Sequence, residues 1–308
     1  MAIGRFKKMA LKVLTAHLYD LKKNYKLHRK VILASHPYIK PLYNLLDRKI
    51  MVGDREIPVR IFKPKKAKEF KVLLFFHGGG WVTGNIDSYT NICANMAEQT
   101  GQIVVSVDYR LAPEHPFPAG LLDCYFAAKT IFKDNTLFRS RPEEITLIGD
   151  SAGGNLAAAV SLMASETGEF KPTRQILLYP ATYHDHSENS PFPSIRENGT
   201  DYVMTSKRIQ DYMDLYIRNE KDRTNPYVAP LLAKDLSNQP KTLIITAEYD
   251  PLRDEGEAYG MRLREFGNTV TITRMKDALH GFLSLPMKKN LVEHCYEIIN
   301  QFLKDETS

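Results

Sequence analysis

The sequence predicts an α/β fold, with a mostly parallel central sheet and helices on both faces. Three observations carry that prediction. Short, continuous apolar runs recur, among them Val72-Leu73-Leu74-Phe75-Phe76, Ile103-Val104-Val105-Ser106-Val107 and Ile176-Leu177-Leu178; such runs read as strands buried on both sides, as parallel strands are. Helical segments lie between them, near residues 87 to 100, 118 to 133, 252 to 266 and 290 to 304. The alternation of strand and helix continues to the C-terminal end, and alternating short strands and helices are the pattern of a sheet covered on both faces.

Composition bounds the rest. The chain has 308 residues, enough for one large α/β domain with insertions or for two smaller ones; the reading adopted is a single domain over residues 1–308. A hydrophobic content of 43% and a charged content of 25% are ordinary for a globular protein. The formal net charge is +6, but the basic clusters Arg5-Phe6-Lys7-Lys8, Lys22-Lys23, Lys63-Pro64-Lys65-Lys66 and Lys288-Lys289 are scattered and interrupted. A nucleic-acid surface gathers its cations on one face, so these read as solvated surface. Cys93, Cys124 and Cys295 form no C-x-x-C pair and are odd in number, which fits a reducing compartment. The basic N-terminus has its apolar run broken by Lys12 and His17 and lacks a small-residue cleavage site. No apolar stretch approaches a transmembrane length. The expected location is the cytoplasm.

Taken in order, residues 5 to 33 place Phe6, Met9, Ala10, Val13, Leu14, His17, Leu18 and Leu21 at helical spacing, opposite a face rich in lysine. That is an amphipathic helix. It could lie on a membrane surface, but such a stripe more often packs on its own protein. His36-Pro37 and Lys40-Pro41 mark boundaries. From residue 50 the pattern changes: Ile57-Pro58-Val59-Arg60-Ile61-Phe62 alternates as a half-exposed strand, and Lys71 to Phe76 and Ile103 to Asp108 follow as central strands. Glu144 to Ile148, Gln175 to Pro180, Thr242 to Ala247 and Val270 to Thr273 complete the series. Residues 182 to 226 break the rhythm, opening on Tyr183-His184-Asp185-His186-Ser187-Glu188-Asn189-Ser190 and holding a helix near 205 to 219. They read as an insertion above the C-terminal ends of the strands, where open α/β sheets bind ligands.

Between the strand at Glu144 to Ile148 and the next helix stands Gly149-Asp150-Ser151-Ala152-Gly153. G-x-S-x-G at a strand–turn–helix junction is a nucleophile elbow. Its glycines allow a tight turn in which a Cβ would strike the neighbouring element, and the helix N-terminus behind the serine favours developing negative charge. A serine nucleophile needs a base, a group that orients the base, and oxyanion donors. In the chain order Ser–acid–His, the acid follows a late strand and the histidine the next one. Asp250, in Glu248-Tyr249-Asp250-Pro251-Leu252-Arg253-Asp254-Glu255, and His280, in Asp277-Ala278-Leu279-His280-Gly281-Phe282, occupy those places. Glu248, Asp254 and Glu255 are the neighbouring alternatives for the acid, the last two placed where a helix first turn stabilises carboxylates. His294 falls in the last helix, and His17, His28 and His36 precede the sheet. The expected oxyanion donors are the backbone N–H groups of Ala152, Gly78 and Gly79, the glycines belonging to His77-Gly78-Gly79-Gly80-Trp81 after an early strand. His77 is expected to hold that loop rather than to act as the base.

In combination these motifs resemble the hormone-sensitive-lipase-like family of α/β-hydrolase serine esterases. The resemblance covers roughly residues 55 to 304. It rests on the glycine loop, Asp108-Tyr109-Arg110-Leu111-Ala112-Pro113-Glu114, His115-Pro116-Phe117-Pro118-Ala119, the elbow, Asp250-Pro251-Leu252-Arg253-Asp254-Glu255 and His280-Gly281-Phe282. It implies an α/β-hydrolase fold with a helical cap, here about residues 1–45 and 182–226, and a structural role for Tyr109 to Ala119, His115 included. The expected function is a serine carboxylesterase that hydrolyses short- to medium-chain acyl esters through an acyl-enzyme on Ser151, with Asp250 and His280 completing the triad. No metal or organic cofactor is expected. His184-Asp185-His186 offers two histidines without the third and fourth ligands of a zinc site. An amidase or formamidase could use the same triad, and a non-catalytic ligand receptor could use the same fold, although this chain keeps all three catalytic residues. The expected partner is a small-molecule ester, with no nucleic acid and no stable membrane insertion; a homodimer is left open.

Overall fold

The computed structural model describes residues 20–37, 45–65, 71–134, 136, 138–285 and 289–305. Its elements run α1 (Leu21–Ser35), β1 (Leu45–Val52), β2 (Arg55–Phe62), β3 (Val72–Phe76), α2 (Thr90–Thr100), β4 (Ile103–Val107), α3 (Ala119–Lys133) and β5 (Ile145–Asp150). There follow α4 (Ala152–Thr167), β6 (Arg174–Leu178), α5 (Pro193–Asn198), α6 (Ser206–Tyr216), β7 (Lys241–Tyr249), α7 (Arg253–Glu265), β8 (Val270–Leu279) and α8 (Lys289–Lys304). They build one eight-stranded sheet in the order β1-β2-β4-β3-β5-β6-β7-β8. From β4 to β8 every pairing is parallel, while β1 and β2 join antiparallel at one edge.

Side chains alternate across a strand, and the core divides accordingly. Val72, Leu74 and Phe76 of β3 face one hydrophobic layer with α3, α4 and α7, through residues such as Ile131, Leu156 and Leu263. Leu73 and Phe75 face the opposite layer, where Met96 of α2 and Tyr296 and Ile299 of α8 pack. The sheet is therefore covered on both faces, and the strands at its centre bear no polar face.

Several boundaries differ from the sequence reading, each for a physical reason. β1 was not anticipated. Its Asp47-Arg48-Lys49 centre is exposed, as an edge strand allows, and its register is set through pairs such as Ile50↔Ile57. β8 runs six residues past Thr273, to Leu279, because an outer strand tolerates Arg274, Lys276 and Asp277. The insertion after β6 contains α5 as well as the expected α6. Of the amphipathic N-terminal segment, only its later part is described: α1 begins at Leu21, which is buried, while Leu27, Val31 and Leu33 are exposed. No helix among the described residues is long and apolar enough to cross a membrane.

Candidate active site

β5 delivers Ser151 and α4 begins immediately behind it. Ser151 has φ 54°, in the left-handed region, held by its N–H donating to Leu178 O at 2.8 Å and its carbonyl accepting from Asn155 N–H at 3.0 Å. The flanking glycines are required by contact. A Cβ on Gly149 would lie 2.2 Å from Gly153 O, and one on Gly153 would lie 1.9 Å from Phe76 O. The elbow is thus wedged between its own helix and the end of β3.

The other two groups arrive from adjacent strands. Asp250 follows β7 and is fully buried. Its Oδ1 accepts from Leu252 N–H at 2.9 Å, and its Oδ2 lies 2.7 Å from His280 Nδ1. His280 follows β8 and its Nε2 lies 2.9 Å from Ser151 Oγ. A carboxylate can only accept, so Nδ1 carries the proton and Nε2 of the neutral ring is free to accept from the serine hydroxyl. Burial works to lower the His280 pKa, but the Asp250 carboxylate, with Asp150 and Glu255 farther off, outweighs it and holds the imidazole above its ordinary value. Tyr179 sets its ring edge-on to the imidazole at 5.1 Å.

The glycine loop leaves β3 beside this line. His77 is buried, stacks on Tyr109 at 4.2 Å between ring centroids, and donates from Nδ1 to Gly78 O at 2.8 Å. Burial pushes its pKa down to about 4, so it stays neutral. It fastens the loop and lies away from the serine's partners. Gly78 differs from expectation: its N–H donates to Asp150 Oδ1 at 2.7 Å. A donor already given to a buried carboxylate is not available to a substrate oxygen, and Gly78 is withdrawn from the oxyanion set. Among the described residues nothing accepts from the N–H groups of Gly79, Gly80 or Ala152. The sequence alone does not single out Asp150. Its place inside the elbow was a signal, but a motif read for its serine and glycines hides it.

The sequence profile of a protein family described by the alpha/beta hydrolase fold matches residues 73–284. The chain belongs to the hormone-sensitive-lipase-like family of α/β hydrolases. The hydrolase is 39% identical over 269 residues to an arylesterase of Saccharolobus solfataricus, a match spanning 86% of this chain and 84% of that protein. It is 32% identical over 289 residues to rabbit (Oryctolagus cuniculus) arylacetamide deacetylase, spanning 74% of this chain and 73% of the relative. The solved structure of a hyperthermophilic esterase from the archaeon Pyrobaculum calidifontis superposes with a TM-score of 0.85 at 33% identity, covering 99% of this chain and 98% of that one. The hydrolase is a carboxylic ester hydrolase.

The alternative acids and several other histidines of the hydrolase have other partners. Glu248 Oε2 accepts from Asp277 N–H, and Asp254 Oδ2 accepts from Ser194 N–H, both at 2.7 Å. Glu255 Oε1 accepts from the N–H groups of Thr182 and Tyr183, and its Oε2 lies 2.9 Å from His186 Nε2. His184 packs on Tyr183 with the two rings tilted by 37°. His294 pairs with Glu297 at the surface, His36 bonds the end of α1, and His17 lies outside the described residues. Two helices come together over the glycine loop. Lys22 of α1 bonds Asp214 of α6, and His28 Nε2 lies 3.3 Å from Tyr212 Oη. The Tyr212 ring packs so closely on Gly80 that a Cβ there would lie 2.3 Å from it. Trp81 stacks on Tyr216 at 4.5 Å.

Proposed function

We propose that the hydrolase is a serine carboxylesterase that cleaves small neutral esters with short to medium acyl chains through an acyl-enzyme on Ser151. The observation that carries this reading is the continuous line Asp250–His280–Ser151, with steps of 2.7 and 2.9 Å. Ser151 Oγ attacks the ester carbonyl while its proton passes to His280 Nε2. The carbonyl oxygen becomes an oxyanion, for which the proposed donors are the N–H groups of Ala152, Gly79 and, in place of Gly78, Gly80. The bond to the alkoxy oxygen then breaks as His280 returns the proton to it, releasing the alcohol. Water attacks the acyl-enzyme and gives a proton to His280; collapse of the second oxyanion releases the acid and restores the serine hydroxyl. Asp250 holds the tautomer and stabilises the imidazolium throughout. None of these steps calls on a metal or organic cofactor.

The cap is proposed to comprise residues 1–45 and 182–226. The packing of Tyr212 on Gly80 and of α1 on α6 supports a roof beside the oxyanion site, and a roof implies a pocket of bounded length. Three buried, unpaired cysteines fit a reducing compartment such as the cytoplasm.

The test is to label Ser151 with a fluorophosphonate and follow hydrolysis of p-nitrophenyl esters and the matching anilides. Activity on esters should vanish in step with labelling of Ser151, and anilides should turn over far more slowly. Full ester activity in quantitatively labelled protein would sink the mechanism. Anilides cleaved faster than esters would move the reading to an amidase.

A further inference from the structure

Asp150 sits between Gly149 and the nucleophile, and it is 4% exposed. Its carboxylate is bonded by groups from two other segments of the chain. Oδ1 accepts from Gly78 N–H at 2.7 Å across 72 residues of chain, and Oδ2 accepts from Tyr89 Oη–H at 3.1 Å. The Tyr89 ring in turn packs on His77 at 5.3 Å and on Phe75 at 5.8 Å. The three groups interlock so closely that a Cβ on Gly78 would lie 2.7 Å from Asp150 Oδ2 and 2.9 Å from Tyr89 Oη. An apolar residue would fill the same space without desolvating a charge, and a buried carboxylate is costly unless it is well bonded. Fold stability alone therefore gives no reason for an acid here.

We propose that Asp150 is a positioning residue of the reaction: its carboxylate ties the glycine loop to the residue next to the nucleophile, so that oxyanion donors and serine are held as one rigid unit. The proposal rests on the serine-esterase reading above. The consequence is geometric. Gly79 and Gly80 follow directly on the tied Gly78, and Ser151 and Ala152 follow directly on Asp150, so one carboxylate sets the distance between the two halves of the oxyanion site. Preorganised donors gain their effect from being fixed before charge develops, and a loop free to turn would lose it.

The same carboxylate has a second, separable effect. The groups facing His280 are Asp250 after β7, Asp150 at the end of β5, Glu255 on α7, the Ser151 hydroxyl, and the Tyr179 ring after β6. Asp150 is the only carboxylate among these that also bonds the glycine loop. Burial raises its own pKa to about 6, against the pull of Gly78 N–H, Tyr89 and His280. Its charge favours protonation of His280. Removing the charge while keeping the shape should therefore make the base less basic.

The experiment uses the full-length enzyme with p-nitrophenyl butyrate, and a trifluoromethyl ketone that adds to Ser151 and carries its oxyanion in the donor site. In Asp150→Ala, kcat should fall on the order of 10²-fold, the size of losing an oxyanion donor, with KM changed by less than about threefold. The ketone's Ki should rise in parallel with the loss in kcat/KM. Asp150→Asn keeps an oxygen for Gly78 N–H and should recover most of kcat, while the acid limb of its kcat/KM profile moves to lower pH. Tyr89→Phe keeps the Gly78 N–H bond to Asp150, so kcat should fall only modestly. A purely structural role would lower the melting temperature without moving the acid limb or the ketone's affinity relative to substrate. If Asp150→Ala does not fold, Asp150→Asn and Tyr89→Phe decide. Asp150→Asn no more active than Asp150→Ala, or a loss in Asp150→Ala confined to KM, overturns the proposal. Wild-type enzyme that forms no ketone adduct at Ser151 overturns the serine reading on which it stands.

Discussion

Ser151 holds a backbone conformation that costs on the order of 1–3 kcal/mol, and the surrounding residues leave it no other. Its proposed function depends on two partners brought in by separate strands, so the three should act as a unit. Ser151→Ala and His280→Ala should each lower kcat on the order of 10⁶-fold, and the double variant should be no worse than either. Asp250→Asn should cost roughly 10⁴-fold by favouring the wrong tautomer. Steady-state kinetics with melting curves as a control checks both. The base must be neutral to accept the serine proton, and His280 is held above its ordinary value. The acid limb of kcat/KM should therefore lie above the reference histidine value of about 6.5, with activity falling as pH drops through it. A limb below that value would mean that burial, not Asp250, dominates at the ring. That Ser151, Asp250 and His280 come together was legible in the sequence because the three proposed catalytic positions depend on order along the chain: serine at an elbow, acid after one strand, histidine after the next. The direction of the Gly78 N–H was not, since it depends on a carboxylate 72 residues away.

At the scale of elements, what could be read depended on burial. Central strands such as β3 and β4 announce themselves because both faces are apolar. β1 stays hidden because its centre is charged and its pairing partner, β2, supplies the order. α5 stays hidden because six residues are too few for a periodic signal. α1 docks on the main body through a polar clamp: Arg29 Nε donates to Val82 O at 2.6 Å, one terminal nitrogen donates to Ala112 O at 2.7 Å, and both terminal nitrogens reach Glu114. Arg29→Ala should loosen this helix selectively. Hydrogen exchange should speed up across residues 21–35, while the melting temperature moves by only about 1–2 °C, as expected for about 1 kcal/mol in a chain of this size. Faster exchange spread evenly over the sheet would show that α1 is part of the global folding unit.

At the scale of the whole molecule, the proposed chemistry lies at the strand ends of the sheet, and the helices above it are proposed to decide what enters. Each buried methylene of an acyl chain gains about 0.8 kcal/mol while room remains. Accordingly kcat/KM should rise from acetyl toward butyryl or hexanoyl esters and fall steeply for long chains, without activation at a lipid interface. A preference for emulsified long-chain triacylglycerol over soluble butyrate esters would refute the bounded pocket. The two-layered core has a different use. Cys93 and Cys295 lie in the layer with α2 and α8, and Cys124 lies in the layer with α3 and α4. All three are buried and free, and burial pushes their thiols up, Cys295 to about 12. Each side of the sheet thus carries its own silent reporter. An alkylating reagent should leave the native enzyme unmodified and fully active; under partial denaturation, the order in which the three sites acquire mass would date the opening of each layer separately. Simultaneous labelling would mean that the two halves of the core come apart in one event.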